Sequence, residues 1–153
     1  MLSACVENLT GGLEELKEHF QAHYLELANY RDKIPLDPIY PVYLERDAAG
    51  QVLYVALRDD GKLIGYFVGF VSPQIHYKSC LTLTQDIFFI NPTYRNGSPK
   101  GALMLFRAVE AEARRRGVHK LYYGCKTHRE TSALFERLGM EETERMFSKW
   151  IGD

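Results

Sequence analysis

Three side chains in this sequence have a type and a setting that suit proton transfer. Asp86 stands in the apolar run from Leu81 to Ile90, directly before Ile87-Phe88-Phe89. A carboxylate there is costly to bury without a partner or a purpose, which makes it a base or an amine anchor. His76 follows the strand-breaking Pro73 and adjoins Tyr77, and His128 follows the Tyr122-Tyr123 run. An imidazole titrates near neutrality and serves as a general base without large perturbation.

A second chemistry is written in Asp86-Ile-Phe-Phe-Ile-Asn-Pro-Thr-Tyr-Arg-Asn-Gly-Ser-Pro-Lys-Gly-Ala-Leu. An apolar strand ends at a proline, a loop with an arginine and two glycines follows, and a helix begins. Glycines let the backbone turn and approach a ligand closely. The free N–H groups of such a loop and first helical turn, together with the helix dipole, favour a phosphate anion. Arg95 and Lys100 add charge to a stretch that also holds Asn96, Gly97, Ser98, Gly101 and Ala102. The run is neither a P-loop, which needs GxxxxGK before Ser or Thr, nor a dinucleotide fingerprint, which needs GxGxxG.

Other suggestive residues read more plainly. His19 and His23 are spaced i, i+4, but Phe20 takes the place of the glutamate of a zinc-protease helix, so no metal site is expected. Arg114-Arg-Arg116 closes a helix and complements its negative end as a solvated face. Cys125 lacks a histidine partner in sequence and reads as a core cysteine.

The elements that must position these groups follow from periodicity and turn residues. Apolar residues at Leu13, Leu16, Phe20, Tyr24 and Leu27 predict a helix from Leu13 to about Tyr30. The segment from Asp37 to Arg46, with Tyr40 and Tyr43, is a short helix or turn. Val52–Leu57 and Leu63–Val71, joined by Asp59-Asp-Gly-Lys62, predict a hairpin. A strand over Leu81–Ile90 and a helix from Lys100 to Arg116, stopped by Gly117, come next. Then a strand over Leu121–Cys125, a short helix from Arg129 to Leu138 and a last strand from Thr143 to Ile151 are expected. With strand–helix–strand units after a hairpin, the sheet is mixed, with helices on both faces.

The chain has 153 residues, a size that fits one domain over its whole length, 1–153. Its net charge of -1 excludes a general nucleic-acid binder, which needs a basic field. No run approaches the ~18 apolar residues of a membrane span. The three cysteines are widely spaced, and Met1–Asn8 has neither a basic n-region nor a long apolar run, so a reduced, cytoplasmic protein is expected.

Phe88-Phe-Ile-Asn-Pro-Thr-Tyr-Arg-Asn-Gly-Ser-Pro-Lys-Gly resembles the pyrophosphate signature P-x-x-R-x-x-G-x-G/A of the GNAT superfamily of acyl-CoA N-acyltransferases. Glu110-Ala-Glu-Ala-Arg-Arg-Arg-Gly-Val resembles the end of that family's long helix, and Ala133-Leu-Phe-Glu-Arg-Leu-Gly-Met its late A-x-x-L-Y-E-K-x-G-F block. The order agrees from Leu13 onward. Ile75-His-Tyr-Lys-Ser and Phe147-Ser-Lys-Trp are similar to a branch common in phages and bacteria.

The resemblance implies an α/β (α+β) fold with a mostly antiparallel sheet of about six strands between helices. It implies that backbone at Phe88, Phe89 and Ile90 pairs with the pantetheine arm of acetyl-CoA, and that amides from Arg95 to Ala102 hold the pyrophosphate. It further implies that the strand after Leu121 splays from the Asp86 strand and leaves a gap for the thioester. Tyr24, Tyr40, Tyr43 and Tyr77 line the acceptor site. Two departures stand out. Pro99 removes an amide donor from the loop, and Phe135 replaces a tyrosine that protonates the leaving thiolate. The expected activity is transfer of an acetyl group to the amine of a small molecule or protein, with a homodimer as a family-level expectation. The alternative is a non-catalytic module that binds acyl-CoA or a macromolecule.

Overall fold

In the computed structural model, which describes all 153 residues, five strands form one sheet in the order β1-β2-β3-β4-β5. β1 (Leu2–Glu7), β2 (Val52–Asp59), β3 (Lys62–Pro73) and β4 (Leu81–Ile90) pair antiparallel, and β5 (Lys120–Tyr122) pairs parallel to β4. The mixed, mostly antiparallel sheet and its flanking helices agree with the expected fold class; the strands number five rather than about six.

Each face of the sheet has its own apolar core. On one face α3 (Lys100–Arg115) sets Leu105, Phe106, Val109 and Ala113 against Leu53, Val55, Leu57, Phe67 and Leu83, and α4 (Ser132–Arg137) adds Phe135. On the other, α1 (Leu9–Leu27) sets Leu9, Leu16 and Phe20 against Tyr54, Ala56, Tyr66, Val68 and Phe89. Tyr40 and Tyr43 of α2 (Tyr40–Ala48) pack at the edge of this second core. Alternation along β2 and β3, both buried on each side, sends successive residues to opposite cores.

The ends of the chain depart from expectation. β1 is an additional edge strand whose Leu2 and Ala4 touch the α3 core while Ser3 and Cys5 face solvent. α1 starts four residues early because Asn8 caps it, its side chain accepting from the Gly11 amide at 3.1 Å. The segment Thr143–Ile151 forms no strand, and Met146, Phe147 and Ile151 stand exposed. It finds no ladder partner because β5 ends at Tyr122; it packs back against Tyr30, whose ring lies 6.2 Å from that of Trp150 and whose hydroxyl lies 3.4 Å from the Ser148 hydroxyl. No helix is long and apolar enough to cross a membrane.

Candidate active site

β4 and β5 are joined over only three residue pairs, Thr82–Lys120, Leu83–Leu121 and Thr84–Tyr122. Beyond Thr84, β4 runs on to Ile90 with β3 on one side and no strand on the other. A gap opens there between β4 and the segment after β5, at the place expected for a splay between the Asp86 and Leu121 strands. At its narrow end the Gln85 side chain bridges the two walls, donating from Nε2 to the Gly124 carbonyl at 3.2 Å.

The loop at the open end of β4 is the strand–loop–helix junction that the sequence marked as a candidate anion site. Asn91 caps a 3-10 turn over Pro92–Tyr94, its side chain accepting from the Thr93 amide at 3.0 Å. Asn96 and Gly97 then take left-handed backbone angles, φ 41° and 66°, which re-aim the chain into α3. The amides of Asn96, Gly97, Gly101 and Ala102 donate to no protein acceptor. Those of Arg95, Ser98 and Lys100 are already bonded, to the Pro92 carbonyl, the Arg95 carbonyl and the Ser98 hydroxyl. Asn96 to Lys100 are exposed. Unpaired amides, grouped where the positive end of a helix meets solvent, are a ready site for a diphosphate.

Arg95 departs from its expected role. Its guanidinium is spoken for: Nε donates to the Ile90 carbonyl at 2.8 Å, and the two terminal nitrogens grip Glu26 at 2.7 and 2.9 Å. Its charge therefore turns toward α1, away from the unpaired amides, and Lys100 is the exposed cation of the loop.

Asp86 sits at a bulge. Gly69 of β3 faces Gln85 and Val68 faces Ile87, so Asp86 is the extra residue on β4. A bulge re-aims a side chain that regular pleating would point elsewhere. Tyr43 of α2 donates from its hydroxyl to Asp86 Oδ2, and Oδ1 has no protein partner. The residue is exposed by surface area, yet protein atoms crowd around it closely enough to desolvate the carboxylate. That crowding raises its pKa above the ordinary value, against the opposing pull of the Tyr43 hydroxyl and the Arg46 charge. Phe70, 5.8 Å from the Tyr43 ring, completes this wall.

The other predicted residues are dispersed. His76 and Tyr77 lie exposed on the β3–β4 loop, at the end of β4 where β5 is still paired, with only each other's rings nearby at 6.3 Å. His128 donates from Nε2 to the Glu26 carbonyl at 3.3 Å and borders an open depression of about 470 Å³ made mainly by Ala28 to Asp32. Neither β4 nor the unpaired amides line that depression. Tyr24 braces the α1–α2 loop, its hydroxyl donating to the Ile34 carbonyl at 2.6 Å. Tyr40 lies under Lys17, whose Nζ is 4.3 Å from the ring centre. Only Tyr43, of the four tyrosines, touches Asp86. Cys125 is exposed rather than in the core, its thiol 3.3 Å from Glu130. Phe135 is buried between Phe106 and Tyr123.

Two residues of α1 enter the site although their types and spacing had assigned them nothing. His23 stacks on Phe89 of β4 at 5.2 Å and shares a 2.8 Å hydrogen bond between Nδ1 and the Tyr66 hydroxyl. Burial pushes its pKa down to about 4, so it is neutral at physiological pH. Glu26, one turn on, holds both Arg95 and Arg129. A signal existed for His23: Leu13, Leu16, Phe20, residue 23 and Leu27 alternate steps of three and four without a break, whereas residue 24 puts two fours in succession.

No protein-family model matches the sequence, and neither does any curated protein sequence. Solved structures do match, over the full chain. The ribosomal-protein-alanine N-acetyltransferase of Brucella melitensis superposes with a TM-score of 0.75 at 15% identity, covering 100% of this chain and 99% of that one. A GCN5-related N-acetyltransferase from Ralstonia eutropha gives 0.75 at 18%, covering 99% and 100%. AAC(6')-Iy, solved with the bisubstrate analogue CoA-S-monomethyl-acetylneamine, gives 0.68 at 18%, covering 100% and 99%. At these identities the likeness establishes the fold, which is that of the GCN5-related N-acetyltransferases.

Proposed function

We propose that the protein transfers an acetyl group from acetyl-CoA to the amine of a small molecule or a protein, in the cytoplasm, by direct attack of the nitrogen on the thioester. The observation that carries this reading is the set of unpartnered amides at Asn96, Gly97, Gly101 and Ala102, standing beside the stretch of β4 that β5 leaves bare. The fold shared with acetyltransferases adds weight.

Each part of the gap has a task in this reaction. The unpaired amides and the Lys100 ammonium hold the diphosphate. The bare edge of β4, Gln85 to Ile90, offers main-chain groups to the amide-bearing arm of the coenzyme, as an added strand would. An N–H on the Phe88–Ile90 run polarises the thioester carbonyl; donors of this kind are typically worth ~3–4 kcal/mol. Asp86 removes a proton from the incoming ammonium through its unbonded Oδ1, while Tyr43 fixes the carboxylate through Oδ2. Nitrogen then bonds to the carbonyl carbon, the carbon–sulfur bond breaks, the sulfur takes the electron pair, and the surplus proton left on nitrogen passes to solvent or to the departing thiolate, giving a neutral amide. A thiol with a pKa of roughly 8.5 leaves tolerably as thiolate. Phe135 supplies no proton, being a core ring.

The test has two stages. Coenzyme A is titrated into the protein by calorimetry while amide spectra are recorded; binding should shift the signals of Asn96, Gly97, Gly101 and Ala102. Acetyl-CoA is then offered with a panel of amines and free thiol is measured. Absence of binding, or shifts confined to other residues, refutes the reading. Binding without thiol release on every amine would leave the non-catalytic module.

A further inference from the structure

We propose that Glu26 is a positioning residue that sets the width of the coenzyme gap, its carboxylate holding Arg95 on one wall and Arg129 on the other at a fixed separation. This rests on the acyl-transfer reading, because it assumes that the gap is where the coenzyme lies.

The geometry is that of a clasp. Arg95 belongs to the loop between β4 and α3, and Arg129 to the segment between β5 and α4. Glu26 Oε1 accepts from Arg95 at 2.7 Å and from Arg129 Nε at 2.9 Å, while Oε2 accepts from Arg95 at 2.9 Å. A fourth bond runs from His128 Nε2 to the Glu26 carbonyl at 3.3 Å, so main chain and side chain of one residue both fasten the far wall. On the near wall Arg95 Nε donates to the Ile90 carbonyl, which carries the clasp into the last residue of β4. No other ion pair in the molecule joins these two walls.

The contact is stronger than a surface ion pair. The Glu26 side chain is 19% exposed and that of Arg95 29%, and fork-to-fork geometry is the favourable case. Burial pushes the Glu26 pKa up, but the two guanidiniums outweigh it and the net shift is downward. The gap is thus framed at both ends, by Gln85 on Gly124 where β5 stops and by Glu26 where the phosphate loop begins. Fixing both ends prepays the ordering that a ligand would otherwise impose. Simple charge gives the opposite expectation: Glu26 is an anion beside a proposed phosphate site, so removing it would attract the coenzyme.

That opposition makes the test decisive. Affinity for coenzyme A is measured by calorimetry in the wild type and in Glu26→Gln, Glu26→Asp and Arg129→Gln, with thermal unfolding of each. Glu26→Gln keeps the length but sets an amide N–H₂ against guanidinium donors; Glu26→Asp keeps the charge but loses the span. Both should weaken coenzyme binding about tenfold and raise KM for acetyl-CoA in proportion, with kcat at saturation within about threefold, a split that general loosening of the fold would not give. Arg129→Gln, at a half-exposed site that does not endanger folding, should weaken binding in the same direction. Equal or tighter binding by Glu26→Gln, or wild-type affinity in Glu26→Asp, overturns the proposal. If the wild type binds no coenzyme, the acyl-transfer reading fails first and this one with it.

Discussion

Lowering the pH from about 7.5 to about 5 should weaken the folded state through His23, by an amount that linkage fixes. Burial against Phe89 and Tyr66 pushes the folded-state pKa of this imidazole down to about 4, with Glu26 opposing and Lys126 and Arg95 reinforcing the shift. In the unfolded chain it titrates near 6.5. Above that value both states hold it neutral and it contributes no pH dependence. Between 6.5 and 4 the unfolded chain takes up a proton that the folded one refuses, so stability falls as pH falls. At pH 5 the loss is roughly 2 kcal/mol relative to neutrality, or about 4–8 °C in Tm for a chain of this size. The carboxylates held low by arginines act later: Glu15, Glu26 and Glu112, the last near a pKa of about 2, lose their contribution only as pH drops below the ordinary carboxylate range. His19, lowered by burial too, has the same sign, which is why the comparison must be a difference. Urea unfolding is followed across that window for the wild type and for His23→Gln, whose amide oxygen can still accept from Tyr66. The variant should lose most of the pH slope. An unchanged slope would refute the reasoning, because it would mean that the imidazole titrates alike in both states.

Asp86→Asn should lower kcat by roughly 10²–10⁴ and leave coenzyme affinity unaltered, as steady-state kinetics and calorimetry would show. Tyr43→Phe removes the donor that opposes the upward shift at Asp86, so the acid limb of kcat/KM should move to higher pH. Phe135→Tyr should bring no gain in rate and cost about 1–3 kcal/mol in unfolding experiments, because a hydroxyl on a ring 8% exposed meets Phe106 and Tyr123 instead of solvent. Gly65→Ala places a methyl 2.9 Å from the Phe89 carbonyl and from Ile90 Cγ1, and should destabilise by about 1–3 kcal/mol in the same assay.

What the sequence disclosed follows from what is local in it. The hairpin at Asp59-Asp-Gly-Lys, the long α3 with its stripe through Leu103, Phe106, Val109 and Ala113, and the loop after Asn91 rest on turn residues and spacing within one segment. β1 was hidden because Leu2-Ser-Ala-Cys-Val-Glu7 is a short edge strand without a clean alternation of apolar and polar residues; its register comes from β2, some fifty residues away in sequence. The strand expected over Thr143–Ile151 failed for the converse reason. Its residues favour a strand, but no ladder edge reaches it. At the site, Asp86 stood out as a charge in an apolar run, whereas Glu26 lies among ordinary helix-surface residues and gains meaning only when Arg95 and Arg129, sixty-nine and 103 positions away, converge on it.

The gap itself comes from a conflict between two ladders that share β4. On its β3 side the strand carries an extra residue at Asp86, and a bulge of this kind sharpens the local twist. On its β5 side the main-chain ladder stops at Thr84, two residues before the bulge. Between them stands Gln85, which meets Gly124 with its side chain instead of its backbone, donating to the carbonyl. A backbone ladder would hold the strands about 4.8 Å apart; a glutamine side chain interposed between them keeps the walls further apart while still satisfying the Gly124 carbonyl. The same irregularity turns the Asp86 carboxylate toward Tyr43 on α2. One inserted residue therefore accounts for both the opening of the cleft and the placement of its only bulge-borne carboxylate, and removing the bulge would take away the two together.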